Sequence, residues 1–94
     1  MMEKSELAKM NQRIRALQRQ LGKVGPVMRG SVVIIGTHNK QPYFSLNKNK
    51  KTRLIYLGKK KEGKAREYSQ NYKKLIKIAE EMTAINMKLL KGNE

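Results

Sequence analysis

The stretch GSVVIIGTHNKQPYFSLNKNKKTRLIYLG, residues 30–58, decides the fold. Its first eight residues, Gly30 to Thr37, are rich in β-branched side chains, which suit a pleated surface. His38-Asn39-Lys40 reads as a turn, and Tyr43 to Leu46 as a second short strand with Pro42 tolerated at its start. Asn47-Lys48-Asn49-Lys50 is a second polar turn, and Thr52 to Leu57 a third strand. Strands joined by turns this short predict a three-stranded antiparallel β-meander over 30–57. In the third strand Leu54 and Tyr56 share one face, while Arg53, Ile55 and Leu57 share the other. Neither face is wholly polar, so one side is expected to pack helices and the other to present Lys and Arg stems.

Outward from this stretch the hydrophobic period changes. On the N-terminal side Leu7, Met10, Ile14, Leu17, Leu21 and Val24 alternate spacings of three and four, the repeat of a coiled-coil seam. A helix is expected over 5–24, capped by Ser5, favoured at its positive end by Glu6, and stopped by Gly22, Gly25 and Pro26. On the C-terminal side GKKKEG, residues 58–63, reads as a basic loop, and 64–91 as one long helix ended by Gly92. There Leu75, Ile78, Met82, Ile85 and Leu89 repeat the seam, and Tyr68, Tyr72, Ile76 and Ala79 widen the stripe where the sheet is expected to pack. The expected class is α+β in one domain, 1–94: N-terminal helix, three-stranded antiparallel β-meander, long C-terminal helix, with the helices pairing in coiled-coil fashion. Two narrow seams on a 94-residue chain with a single Phe and no Trp predict a homodimer.

Composition narrows function. The chain has no Cys, which excludes disulfides, Cys-ligated zinc and a thiol nucleophile. The opening MMEKSELAKMNQRIRALQ has no apolar core of a secretory signal, and the longest apolar run, Val32 to Ile35, is far short of a bilayer span. A cytoplasmic protein without a membrane partner is expected; the basic N-terminal helix, with Arg13, Arg15, Arg19 and Lys23 beside its stripe, has no Trp or Phe to anchor it in lipid.

Catalytic chemistry finds no constellation. His38 is the only His and sits in a turn. Glu80 and Glu81 are adjacent and project about 100° apart on a helix, so they do not face each other as an acid/base pair. Ser5, Ser31, Ser45 and Ser69 lie in no nucleophile elbow, and the glycines flanking the lysines at 58–63 do not make a P-loop. No catalytic residue, metal, cofactor or small-molecule substrate is expected.

Charge gives the leading expectation. The net charge is +15, and residues 30–66 alone carry ten basic side chains against Glu62. Such density attracts polyanions, and the expected partner is DNA or RNA, bound with low sequence specificity. Lys48, Lys50, Lys51 and Arg53 cluster at the second turn and third strand, and Lys59, Lys60, Lys61, Lys64 and Arg66 at the junction of sheet and helix. These groups lie at opposite ends of the third strand, about 20 Å apart at ~3.3 Å per residue. Lys64 and Arg66 are expected in the first helical turn, where outward N–H groups suit a phosphate. Tyr43, Phe44 and Tyr56 are candidate platforms for stacked bases, and one of Tyr43 and Phe44 must point away from the helices. The alternative expectation is a protein-interaction adaptor working through the seams Leu7, Met10, Ile14, Leu17, Leu21 and Leu75, Ile78, Met82, Ile85, Leu89.

Three stretches carry a resemblance: Gly30-Ser31-Val32-Val33, Gln41-Pro42-Tyr43-Phe44-Ser45-Leu46 and Lys51-Thr52-Arg53-Leu54-Ile55-Tyr56-Leu57, followed by the helix from Asn71-Tyr72-Lys73-Lys74-Leu75 to Ile85-Asn86-Met87-Lys88-Leu89-Leu90. They resemble a small prokaryotic family, a domain of unknown function, with a Gly-Ser strand, a Pro-Tyr strand, a Lys-Thr-Arg strand and a long C-terminal helix. The resemblance implies this fold and a companion role to mobile elements or phage. The family's cysteine-containing stretch is absent here, where Thr37-His38-Asn39-Lys40 closes the hairpin directly, so no metal site carries over. The strand–strand–strand–helix order also resembles the small DNA-binding domains of some phage-type integrases, whose sheet lies in the major groove.

Overall fold

The computed structural model describes residues 3–92. Its elements are α1 (Lys4–Lys23), β1 (Ser31–Ile35), β2 (Gln41–Lys48), β3 (Lys51–Tyr56) and α2 (Gly58–Gly92). The class is the expected α+β, and the strands form one antiparallel sheet in the order β1-β2-β3. The chain makes two compact units: Gly25–Lys73, holding the sheet and the first part of α2, and a helical unit of α1 with α2 from Lys74 onward.

In the sheet unit the register is regular. Val32 pairs with Phe44, Ile34 with Pro42, Phe44 with Ile55 and Leu46 with Arg53. Directly paired residues point to the same side, so these side chains make one face. The hairpin between β2 and β3 turns through Asn49 and Lys50, both at positive φ (53° and 64°), the twist that matches right-handed strands. Phe44 is 1% exposed, and Pro42 beside it is buried. The segment 25–30 is fastened to α2 at three points. Asn71 Nδ2 donates to Pro26 O (2.9 Å), Met28 N–H to Tyr68 O (3.2 Å), and the buried Ser69 hydroxyl to Gly30 O (2.7 Å).

Gly30 is where helix, strap and sheet converge. Its φ of +138° lies where L side chains are strained, and an added Cβ would stand 2.6 Å from Ser45 O and 2.7 Å from the Phe44 ring. The side of α2 that enters this packing bears Ala65 and Ser69, both buried and one turn apart. Small side chains let the helix come close. The wider stripe expected there is corrected: Ile76 and Ala79 are exposed.

Two other expectations change. Residues 58–63 are not a loop but the opening turns of α2. Gly58, at φ +66°, takes the left-handed conformation at the junction two residues after β3 ends. The helix continues through Gly63, which costs about 1 kcal/mol, on lysines that are good helix formers and with Glu62 tied to Arg66 one turn on (Nε···Oε2 2.9 Å), which returns part of that cost. Ser5 does not cap α1: the N-cap is Glu3, whose carbonyl accepts the Leu7 N–H, with no side-chain cap.

In the helical unit Leu17 of α1 is 1% exposed and Ile78 of α2 8%. Met10, Ile14, Leu75, Met82, Ile85 and Leu89 are half-buried, as two seams within one unit require. Arg13 grips Glu81 with both nitrogens of one edge, Nη2 donating to Oε1 at 3.0 Å and Nε to Oε2. This hydrogen bonding to Arg13 holds the Glu81 carboxyl below its ordinary range. A depressed native pKa gives stability above the unfolded value that is lost as pH falls through the native one.

Two outcomes follow. Gly30→Ala should lower unfolding free energy by at least about 2 kcal/mol in urea melts, since strain and overlap combine at one position. Glu81→Gln should melt below the parent protein at neutral pH, and the gap should close as pH falls well below about 4; a gap independent of pH would show that the charge on Glu81 contributes nothing.

Candidate nucleic-acid interface

Lysine and arginine dominate the sheet unit. Gly25–Lys73 carries twelve basic residues and two acidic ones, Glu62 and Glu67, for a net +10. The rest of the sequence carries ten basic and five acidic residues, a net +5. In the sheet unit both carboxylates are engaged on α2, Glu62 with Arg66 (2.8 Å) and Glu67 with Lys64 (3.3 Å). Among the described residues Lys48, Lys50, Lys51, Arg53, Lys59, Lys60 and Lys61 form no ion pair.

The two basic groups are placed by different local rules. Lys48 and Lys51 close the β2–β3 hairpin as direct cross-strand partners, an arrangement that sets like charges against each other. By register they share the face of Phe44, as does Arg53 opposite Leu46. At the other end of β3, Lys59, Lys60 and Lys61 fill the first turn of α2, which contains no acidic residue. The helix dipole puts partial positive charge there, so these lysines add to it instead of offsetting it. Lys64 and Arg66, expected in this turn, stand further along the helix, because α2 begins at Gly58. Lys64 Nζ also lies 5.8 Å from the Tyr68 ring centre, within cation–π range.

Cationic stems do not cover the sheet side opposite Phe44, as the sequence reading expected. That side carries Ser31, Val33 and Ile35 from β1, Gln41, Tyr43, Ser45 and Asn47 from β2, and Thr52, Leu54 and Tyr56 from β3. None of the ten is charged. The reason is parity: Lys48, Lys51 and Arg53 all fall on the Phe44 side of the pleat.

The stacking candidates separate in the same way. Phe44 is core and is withdrawn as a platform; one side of its ring meets Gly30. Tyr43 and Tyr56 are direct partners on the uncharged face, their ring centres 5.5 Å apart and inclined by 67°.

Sequence reasoning missed one feature. Between β1 and α2 lies a polar recess of about 120 Å³ lined by Ser31, Val32, Arg66, Ser69, Gln70 and Lys73. The four helical residues are spaced i, i+3, i+4, i+7, so they share a face, but only the packing of β1 against that face turns them into a recess. Among the described residues no helix is long and apolar enough to cross a membrane. Compared with protein-family models, curated proteins and solved structures, the chain matches none.

Proposed function

We propose that the sheet unit binds DNA or RNA through phosphate contacts, with little discrimination of sequence. The observation that carries this reading is the +10 charge of Gly25–Lys73, in which seven of the nine candidate cations lack a carboxylate partner among the described residues. Two placements support it. Lys48 faces Lys51 across a hairpin, and Lys59, Lys60 and Lys61 stand at the positive end of α2. Both are electrostatically unfavourable in isolation and become favourable when an anionic polymer lies beside them. Nine of the twelve basic residues are lysines, point charges suited to phosphates more than to bidentate reading of base edges.

Affinity for a labelled oligonucleotide should fall by ~10³ between about 50 and 200 mM salt if six or more phosphates are neutralised. Reversing Lys59, Lys60 and Lys61 to Glu should weaken binding to every sequence tested and flatten the salt slope. Unchanged affinity would remove the opening turn of α2 from the site.

A second reading, a homodimer or adaptor built on the helical unit, draws on the apolar side chains that this unit leaves exposed. Leu7, Leu21, Ile76, Met87 and Leu90 are all more than one-third accessible, and Leu90 reaches 73%. A light-scattering mass of twice the chain that returns to the monomer value on Leu90→Glu would support it; a monomer at high concentration would count against the homodimer.

A further inference from the structure

The geometry points to the open face of the sheet as a platform for unpaired nucleotides, with bases stacked on Tyr56 and Tyr43; this rests on the nucleic-acid reading above and names the form of the ligand. In a chain with 31% charged residues, a face of ten uncharged positions is not a solubilising surface. It exposes apolar area instead: Ile35 is 41% accessible, Leu54 50% and Tyr56 55%. Absence of charge together with an aromatic pair, Tyr43 on the central strand and Tyr56 at the end of β3, is the pattern of an interface core, and lysines at the ends of the face complete it. Lys40 stands just before β2 at one end, and Lys50, in the turn between β2 and β3, stands at the other. The eight residues of β2 put roughly 25 Å between those ends, room for several nucleotides.

The rings are held ready. Tyr56 donates its hydroxyl proton to Gln41 Oε1 (3.1 Å), Gln41 Nε2 donates to Asn39 Oδ1 (2.9 Å), and Tyr43 packs edge-to-face against Tyr56. A platform fixed before binding loses little side-chain entropy when a base stacks on it. The same bonds argue against reading of base edges in a duplex groove. Gln41 has both ends of its amide engaged within the protein, and Asn47 Oδ1 already accepts from the Thr52 hydroxyl (2.7 Å). A second copy of the chain fits poorly, because it would bring the same lysines to the ends with no carboxylate on either face. Phosphates at the ends with bases between them satisfy both the lysines and the uncharged face.

The test uses the full chain in dilute buffer with an oligothymidylate of about 20 nucleotides and a duplex of similar length. The protein has four Tyr and no Trp, two of the four on this face, so the part of tyrosine emission that is lost in Tyr56→Ala reports stacking. The oligothymidylate should quench it, and Tyr56→Ala should weaken single-strand binding about tenfold or more while changing duplex binding less than about twofold. Tyr56→Phe, which keeps the ring and loses only the bond to Gln41, should retain most of the single-strand affinity, and Tyr56→Leu, which keeps an apolar strand residue, should reproduce the loss if the alanine variant does not fold. Equal losses on both probes, no loss on the single strand, or a change of oligomeric mass in Tyr56→Ala would overturn the inference. If the variants bind like the parent while reversal of Lys59, Lys60 and Lys61 abolishes binding, the platform fails and the phosphate reading stands. If the parent binds neither probe, both fail.

Discussion

The meeting of Gly30 with Phe44 and Ser69 is the constraint on which the sheet unit depends. A three-stranded sheet has two solvent-facing edges and cannot bury both of its faces by itself. Here a single ring, Phe44, supplies most of the buried apolar bulk, and the backbone of Gly30 lies against it with no room for a side chain. The same residue's carbonyl takes the Ser69 hydroxyl, so a buried polar group on the helix finds its partner on the strap before β1. Gly30 thus meets both the Phe44 ring and the Ser69 hydroxyl, and the buried residues on this side of α2, Ala65 and Ser69, are both small. Everything placed by the first part of α2, including the lysines of its opening turn, inherits its position from this contact.

That placement partitions charge in a way that a count of residues does not reveal. The pleat sends Lys48, Lys51 and Arg53 to the side of Phe44 and leaves the opposite side without a formal charge. The outcome is a unit with net +10 whose open sheet face is amide, hydroxyl, aliphatic and aromatic. Long lysine stems tolerate the partly apolar side of the sheet because their methylenes can lie on it while the ammonium reaches water. Tyr43 and Tyr56, with apolar bodies and polar tips, occupy the uncharged face, where the Tyr56 hydroxyl bonds the Gln41 amide and the two rings meet edge to face.

The helical unit obeys a different rule. Its seams are narrow, so two helices bury Leu17 and Ile78 well and leave the flanks half open. The Arg13–Glu81 pair lies in the open, where water and salt screen it and keep its contribution small. The apolar residues toward the end of α2, Met87 and Leu90, remain accessible within a single chain.

The sequence by itself determined the order of elements, the three antiparallel strands and the two seams, because these rest on periodicity, on β-branched runs and on turn residues that act locally. It also determined that one of Tyr43 and Phe44 had to point outward, since adjacent strand residues face opposite ways. Only the tertiary structure decided which one. Phe44 went inward, where its ring lies against Gly30 with Ala65 and Ser69 also buried on that side, and the cationic side chains of β3 followed by parity. The start of α2 at Gly58 was hidden for a related reason: a run of lysines between two glycines looks like a loop until Glu62 is seen one turn from Arg66 on a helix already anchored to the sheet. The recess between β1 and α2 was invisible for the same cause, since its walls are distant in sequence and meet only when the strap at 25–30 is fastened to the helix.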